Sequence, residues 1–244
     1  MRKIKRIFAV IVLLAIVAYF AILAPQNAKD QRSLLNGNSK SESEVETDVS
    51  EVTSEEALNE DGLPNIDVTS WEYLLANSDN NIGDYAPELG TVEGVEFDER
   101  IVDAMTEMIS DARAEGLNVY LSSGYRSEEE QQYLFDRKVA QVGEEEAATI
   151  VAVPGTSEHQ TGLAADITDQ YYETKDESLE DTDLYIWLSQ HCQEYGFIVR
   201  YPKGAEDITG IIYEPWHFRY VGVEAATYIM ENDLTLEEFL ELYE

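Results

Sequence analysis

SEHQTGLAADIT, residues 157–168, begins as a polar loop and ends as a strand. Gly162 lets the backbone turn sharply between the two, because a residue without Cβ tolerates close approach and positive φ. Beyond it the side chains alternate: Ala164, Asp166 and Thr168 share one face, and Leu163, Ala165 and Ile167 share the other. One face is apolar, while the other points a carboxylate into a space kept open by a small alanine. YEPWHFRYVG (213–222), FIVRY (197–201) and NVYLSS (118–123) read as further strands.

Helical patterns separate these strands. FDERIVDAMTEMISDARAEG (97–116) places Ile101, Met105 and Ile109 in a helical rhythm and stops at Gly116. Ser127 is a candidate N-cap for EEEQQYLFDRKVAQVG (128–143), whose first turn is acidic. EEEAATIVAV (144–153) is a short helix halted by Pro154 and Gly155, and 181–196, 222–233 and 234–244 are helical. Helices and strands mix without a regular βαβ repeat. The expected class is therefore α+β: a small antiparallel sheet with flanking helices.

Three stretches carry candidate chemistry: SSGYRSEEEQ (122–131), SEHQTGLAAD (157–166) and EPWH (214–217). A lone His159 or Asp166 would read as hydrogen-bonded structure. His217 changes that reading, since two imidazoles and a carboxylate make a workable catalytic zinc site with one position left for water. Pro215 prevents EPWH from being helix interior, so Glu214 and His217 can approach one centre from a bent strand, with Trp216 as a packing anchor. Glu214 is not needed as a ligand and is free to act as a base. The remaining histidine, His191, reads as structural, and the single cysteine, Cys192, as a small buried hydrophobe.

These motifs, SxHxxGxAxD and ExWH with an upstream SGYRSxxxQ, resemble the VanY-type D-alanyl-D-alanine carboxypeptidases of the peptidase M15 family. WEYLLANSDNNIGDYAPELGTV (71–92) also looks like that family's leading segment, so the similarity runs from about Ile66 to Met230. The segment departs from the family at Ala76 and Asn77, where relatives read VNK. The resemblance implies one zinc ion held by His159, Asp166 and His217, with Glu214 and Arg126 as catalytic residues. It further implies that Arg126 contacts the substrate, and that Ser157, Tyr125 and Gln131 help shape the substrate pocket. The small zinc-holding α+β domain of the family agrees with the class read above. The implied activity is removal of the terminal D-alanine from peptidoglycan peptide stems. L,D-carboxypeptidase trimming of tetrapeptide stems stays open beside it, as does a catalytically silent wall-binding module.

The N-terminus adds a location. Arg2, Lys3, Lys5 and Arg6 precede eighteen uncharged residues, Ile7 to Ala24. As a helix that run is about 27 Å long, close to the hydrocarbon thickness of a bilayer. Ile22 and Pro25 around Ala24 make a poor processing site. Residues 1–25 therefore read as an uncleaved, single-pass anchor with a cytoplasmic N-terminus, which places the rest of the chain outside a bacterial cell membrane. Residues 26–65, rich in Ser, Glu, Asp and Asn, read as a disordered tether, and 66–244 as the catalytic domain. Net charge is −34, from 16 basic and 50 acidic residues, and setting aside the first four basic residues leaves 12 against 50. Such a surface argues against nucleic acid as a partner, and an anionic substrate must be met by a local positive site. A monomer is expected.

Overall fold

The structure, a computed structural model, describes residues 58, 59, 62–172 and 175–244. All of them belong to one compact unit spanning residues 51–244. The expected anchor and most of the expected tether lie outside the described residues. Among those described, no helix is long and apolar enough to cross a membrane.

A hairpin comes first, β1 (Leu89–Val92) against β2 (Val95–Asp98). Glu93 and Gly94 turn it at φ 54° and 85°, the paired positive values that a tight two-residue hairpin turn needs. The 97–116 stretch, read from sequence as helical throughout, divides here. Phe97 and Asp98 pair with Gly90 and Leu89 in β2, so the hairpin claims their backbone first. Asp98 then accepts the Arg100 N–H as a helical turn over Glu99–Ile101 leads into α1 (Val102–Ala114). Met105, Met108, Ile109 and Ala112 form the buried stripe of α1, the spacing of one helix face.

After β3 (Tyr120–Ser123), Ser127 caps α2 (Glu128–Val142) in a reciprocal box with Glu130. Then follow α3 (Glu144–Ile150), β4 (Ala164–Thr168), α4 (Asp183–His191), β5 (Phe197–Val199), α5 (Glu206–Thr209), β6 (His217–Tyr220), α6 (Val223–Glu231) and α7 (Leu236–Glu241). Strands β3 to β6 make one antiparallel sheet in the order β3-β4-β6-β5. The chain is α+β, as its sequence patterns predict.

The alternation read in 163–168 holds. Leu163, Ala165 and Ile167 join Phe218, Phe197 and Val199 in a core shared with α1 and with Leu184 and Leu188 of α4. Full burial of a side chain such as Phe218 contributes about 1.5–3 kcal/mol. The opposite face carries Asp166 and His217, which are direct cross-strand partners, with Ser123 beside Asp166 on β3. Ile198 joins this face to a second core against α6 and α7. The strand expected over 213–222 narrows to β6. Glu214 to His217 instead form a tight turn, closed by the His217 N–H donating to Glu214 O at 3.2 Å.

Candidate metal centre

His159 stands on a short helical turn, Glu158–Thr161, that ends at Gly162 with φ +73°. A Cβ at Gly162 would lie 2.7 Å from the backbone nitrogen of Asp98, and that same N–H donates to Gly162 O. Only glycine permits this junction, and it fixes the distance from His159 to β4. Gly124 is equally constrained: a Cβ there would meet Glu96 O at 2.2 Å, and its own carbonyl lies 2.7 Å from His159 Nδ1. A carbonyl can only accept, so Nδ1 carries the proton and Nε2 is left bare.

On the facing strand the tautomer is reversed. His217 Nε2 lies 3.4 Å from Glu158 Oε2, which also only accepts, so Nδ1 is the free nitrogen. His159 Nε2 and His217 Nδ1 then approach Asp166 Oδ1 at 3.4 and 3.3 Å. One ligand atom from each of the three residues lies within 4.8 Å of the others. Asp166 Oδ1 is buried without a hydrogen-bond partner among the described residues. A buried carboxylate oxygen without a donor is costly unless a cation completes it. Two imidazole nitrogens and one carboxylate oxygen suit zinc and leave a coordination position open. The three residues therefore fit the ion that the sequence motifs imply.

Charge in the centre is tightly arranged. Burial, reinforced by nearby Arg126, lowers His159 to about 4, so it is neutral and ready to bind a metal. Burial would also lower His217, but the carboxylates of Asp166 and Glu158 beside its ring outweigh this and hold it at about 9. The anionic corner that retains a proton on this ring is the corner a divalent cation would occupy. Burial raises Glu214 to about 7, with Asp166 adding to the effect. Its Oε2 stands 3.5 Å from His217 Nδ1. A carboxyl poised near neutrality beside a metal position has the properties of a general base.

Arg126 faces this carboxylate from the loop before α2. Its guanidinium donates to Gln131 Oε1 at 2.7 Å and to Ser123 Oγ at 3.1 Å, and its backbone N–H donates to His159 O. It makes no ion pair among the described residues. Arg126, Gln131, Ser157, Glu214 and the three metal-binding residues all line one cleft of about 400 Å³. Gln131 is buried, and its amide NH₂ donates to Ala152 O at 2.6 Å, which fixes the side chain whose Oε1 accepts from Arg126. Tyr125 is half-buried and does not line the cleft, and its backbone N–H donates to Glu96 O.

A buried ionic scaffold supports the centre, and sequence motifs alone do not reveal it. Glu158 Oε1 accepts from Arg200 Nε at 2.6 Å and from Arg219 at 2.7 Å. Arg200 continues to Glu237 on α7 through two bonds of 2.8 and 2.6 Å. Arg219 donates to the carbonyls of Glu72 and Leu74, and Asn77 donates to Glu237. The two arginines hold Glu158 well below the usual carboxylate range despite complete burial. Lys175 reaches Asp166 Oδ2 at 2.6 Å. The period-2 pattern of HFRY, which puts Arg219 on the face of His217, is the one clue the sequence offers. His191 pairs with Glu194 and stacks on Trp187, away from the centre, and Cys192 is buried.

An antiparallel sheet that carries a His-Asp-His cluster, a poised carboxylate and a fixed arginine in one cleft defines a metal-dependent hydrolase. Residues 94–223 match the family described as VanY: D-alanyl-D-alanine carboxypeptidase. A D-alanyl-D-alanine carboxypeptidase of Enterococcus faecalis is 42% identical over 186 residues, covering 71% of this chain and 67% of the relative. The chain belongs to the VanY family. Among solved structures, a vancomycin resistance D,D-pentapeptidase VanY in complex with Zn(II) is 41% identical, with a TM-score of 0.63 over 70% of this chain and 99% of that one. The LdcB LD-carboxypeptidase is 38% identical, with a TM-score of 0.59 over 76% of this chain and 92% of its own.

Proposed function

We propose that this chain is a zinc-dependent carboxypeptidase that removes the terminal D-alanine from peptidoglycan peptide stems. One observation carries the reading. The unpartnered, buried Asp166 Oδ1 converges with His159 Nε2 and His217 Nδ1 in a cleft that also holds Glu214 and Arg126. Membership of the VanY family supplies the substrate class. All four positions of metal binding and acid-base chemistry are filled, which disfavours a silent wall-binding module.

Bound by His159, Asp166 and His217, zinc supplies a Lewis acid that acidifies water and polarises the scissile carbonyl. Glu214 accepts the proton of the attacking water and passes it to the departing D-alanine amine. Arg126, held in place by Gln131 and Ser123, takes the substrate carboxylate and the developing oxyanion through charge-assisted hydrogen bonds. Gln131 acts by positioning Arg126, and Ser157 forms part of the pocket wall. No covalent enzyme intermediate is needed.

The likeness to LdcB favours a second reading, in which the same centre trims tetrapeptide stems. Mass spectrometry of muropeptides incubated with the purified protein tests both. Loss of one alanine from pentapeptide stems supports the D,D reading, and loss from tetrapeptides alone supports the L,D reading. Intact stems of both kinds overturn the proposal.

The protein acts as a monomer on the outer side of a bacterial membrane, with 1–25 as anchor, 26–65 as tether and 66–244 as catalytic domain. The basic start and the uncharged run of eighteen residues support the anchor and its orientation. Protease shaving of intact cells should remove the domain, and a mature form beginning near Lys29 would show that the segment is cleaved.

A further inference from the structure

The described residues include nine arginines and lysines: Arg100, Arg113, Arg126, Arg137, Lys138, Lys175, Arg200, Lys203 and Arg219. Six of them lie within 4.0 Å of a carboxylate. The three without an ion pair among the described residues are Arg126, Arg137 and Lys138, and all three line the same cleft. In a chain of net charge −34, an unpaired cation is scarce, and the grouping of all three calls for a ligand.

Their arrangement gives the ligand a length. Gln131, Leu134, Lys138 and Gln141 line the cleft from α2 at spacings of three, four and three, which is one face of a helix. Arg137 flanks this face and lies over the Tyr133 ring at 5.6 Å, a contact that leaves its net charge available to an anion. Gln131 marks the position of Arg126, because its side chain holds that guanidinium. Lys138 is seven residues further along, or about 10 Å up the helix axis. An extended peptide covers about 3.3 Å per residue, so that distance corresponds to roughly three residues.

We propose that Arg137 and Lys138 form a second anion subsite of the cleft, which takes a carboxylate roughly three residues before the C-terminus of the peptide held at Arg126. The assignment rests on the carboxypeptidase reading and adds a substrate class to it: peptides carrying a second, upstream acid. The subsite also offsets the repulsion between an acidic substrate and an acidic enzyme, since contacts of this kind act locally while the wider field is screened.

The test uses two peptides, acetyl-Glu-Ala-D-Ala-D-Ala and acetyl-Gln-Ala-D-Ala-D-Ala, with the full-length zinc-loaded protein. The expected kcat/KM ratio, acidic over neutral, is about fivefold at low salt, the scale of solvent-exposed ion pairs. It should shrink towards one at ~0.5 M salt. In the Arg137→Gln/Lys138→Gln double variant the ratio should fall to near one at low salt, with circular dichroism confirming that α2 tolerates the change. A ratio near one in the unaltered protein, or a ratio that survives in the double variant, overturns the subsite alone. Failure to shorten either peptide overturns the D,D-carboxypeptidase reading, and the subsite with it.

Discussion

Glu214 and Arg126 face each other across the cleft, and their removal should leave different signatures. Glu214 is placed as a base beside the metal position and is not needed as a ligand. Glu214→Ala should therefore retain zinc by elemental analysis while kcat falls about 10²- to 10⁴-fold and KM moves little. Loss of the metal in this variant would make Glu214 a ligand, and normal turnover would sink the mechanism. Arg126→Ala should also keep zinc, yet lose substrate binding as well as turnover, because the proposed carboxylate contact would exist in the ground state and strengthen as the oxyanion forms. A variant with lower kcat at unchanged KM would confine Arg126 to the transition state.

Among the elements, β4 and β6 were the most legible in the sequence. The alternation after Gly162 assigned the two faces of β4 correctly, and EPWH indicated a bend that brings Glu214 and His217 together. The α1 stripe was also visible, although its start was read too early because pairing within the β1–β2 hairpin is not a local signal. The scaffold behind the metal was hidden for a similar reason. Glu158 meets Arg200 and Arg219 across 42 and 61 residues of chain, so only the folded sheet reveals the partnership. This scaffold predicts an effect at a residue whose carboxylate is engaged by two arginines and His217. Glu158→Gln leaves two buried arginines short of a negative charge, which should destabilise the domain by about 3–5 kcal/mol. It also removes the charged acceptor that fixes the His217 tautomer, so zinc affinity should drop about 10- to 100-fold. Denaturant titration and competition with a chelator measure the two effects. Unchanged zinc affinity would confine Glu158 to a purely structural role.

For the molecule as a whole, the metal should contribute to stability as well as chemistry. Zinc binds the folded centre and not the dispersed ligands, so at free zinc near 100 times its Kd it adds about 2.7 kcal/mol. Chelation should accordingly lower Tm by roughly 5–10 °C for a domain of this size. Zinc should restore it, whereas magnesium should not, because two imidazoles suit the softer ion. A Tm indifferent to chelation, with no zinc in protein purified without chelator, would argue against the centre. The paired residues Asp166 and His217 add one more consequence. A slip of one residue between β4 and its neighbours would turn Asp166 towards the apolar core and scatter the three ligands. The ion can be captured only by a sheet assembled in the correct alignment, so zinc uptake at saturating metal doubles as a gauge of folding fidelity.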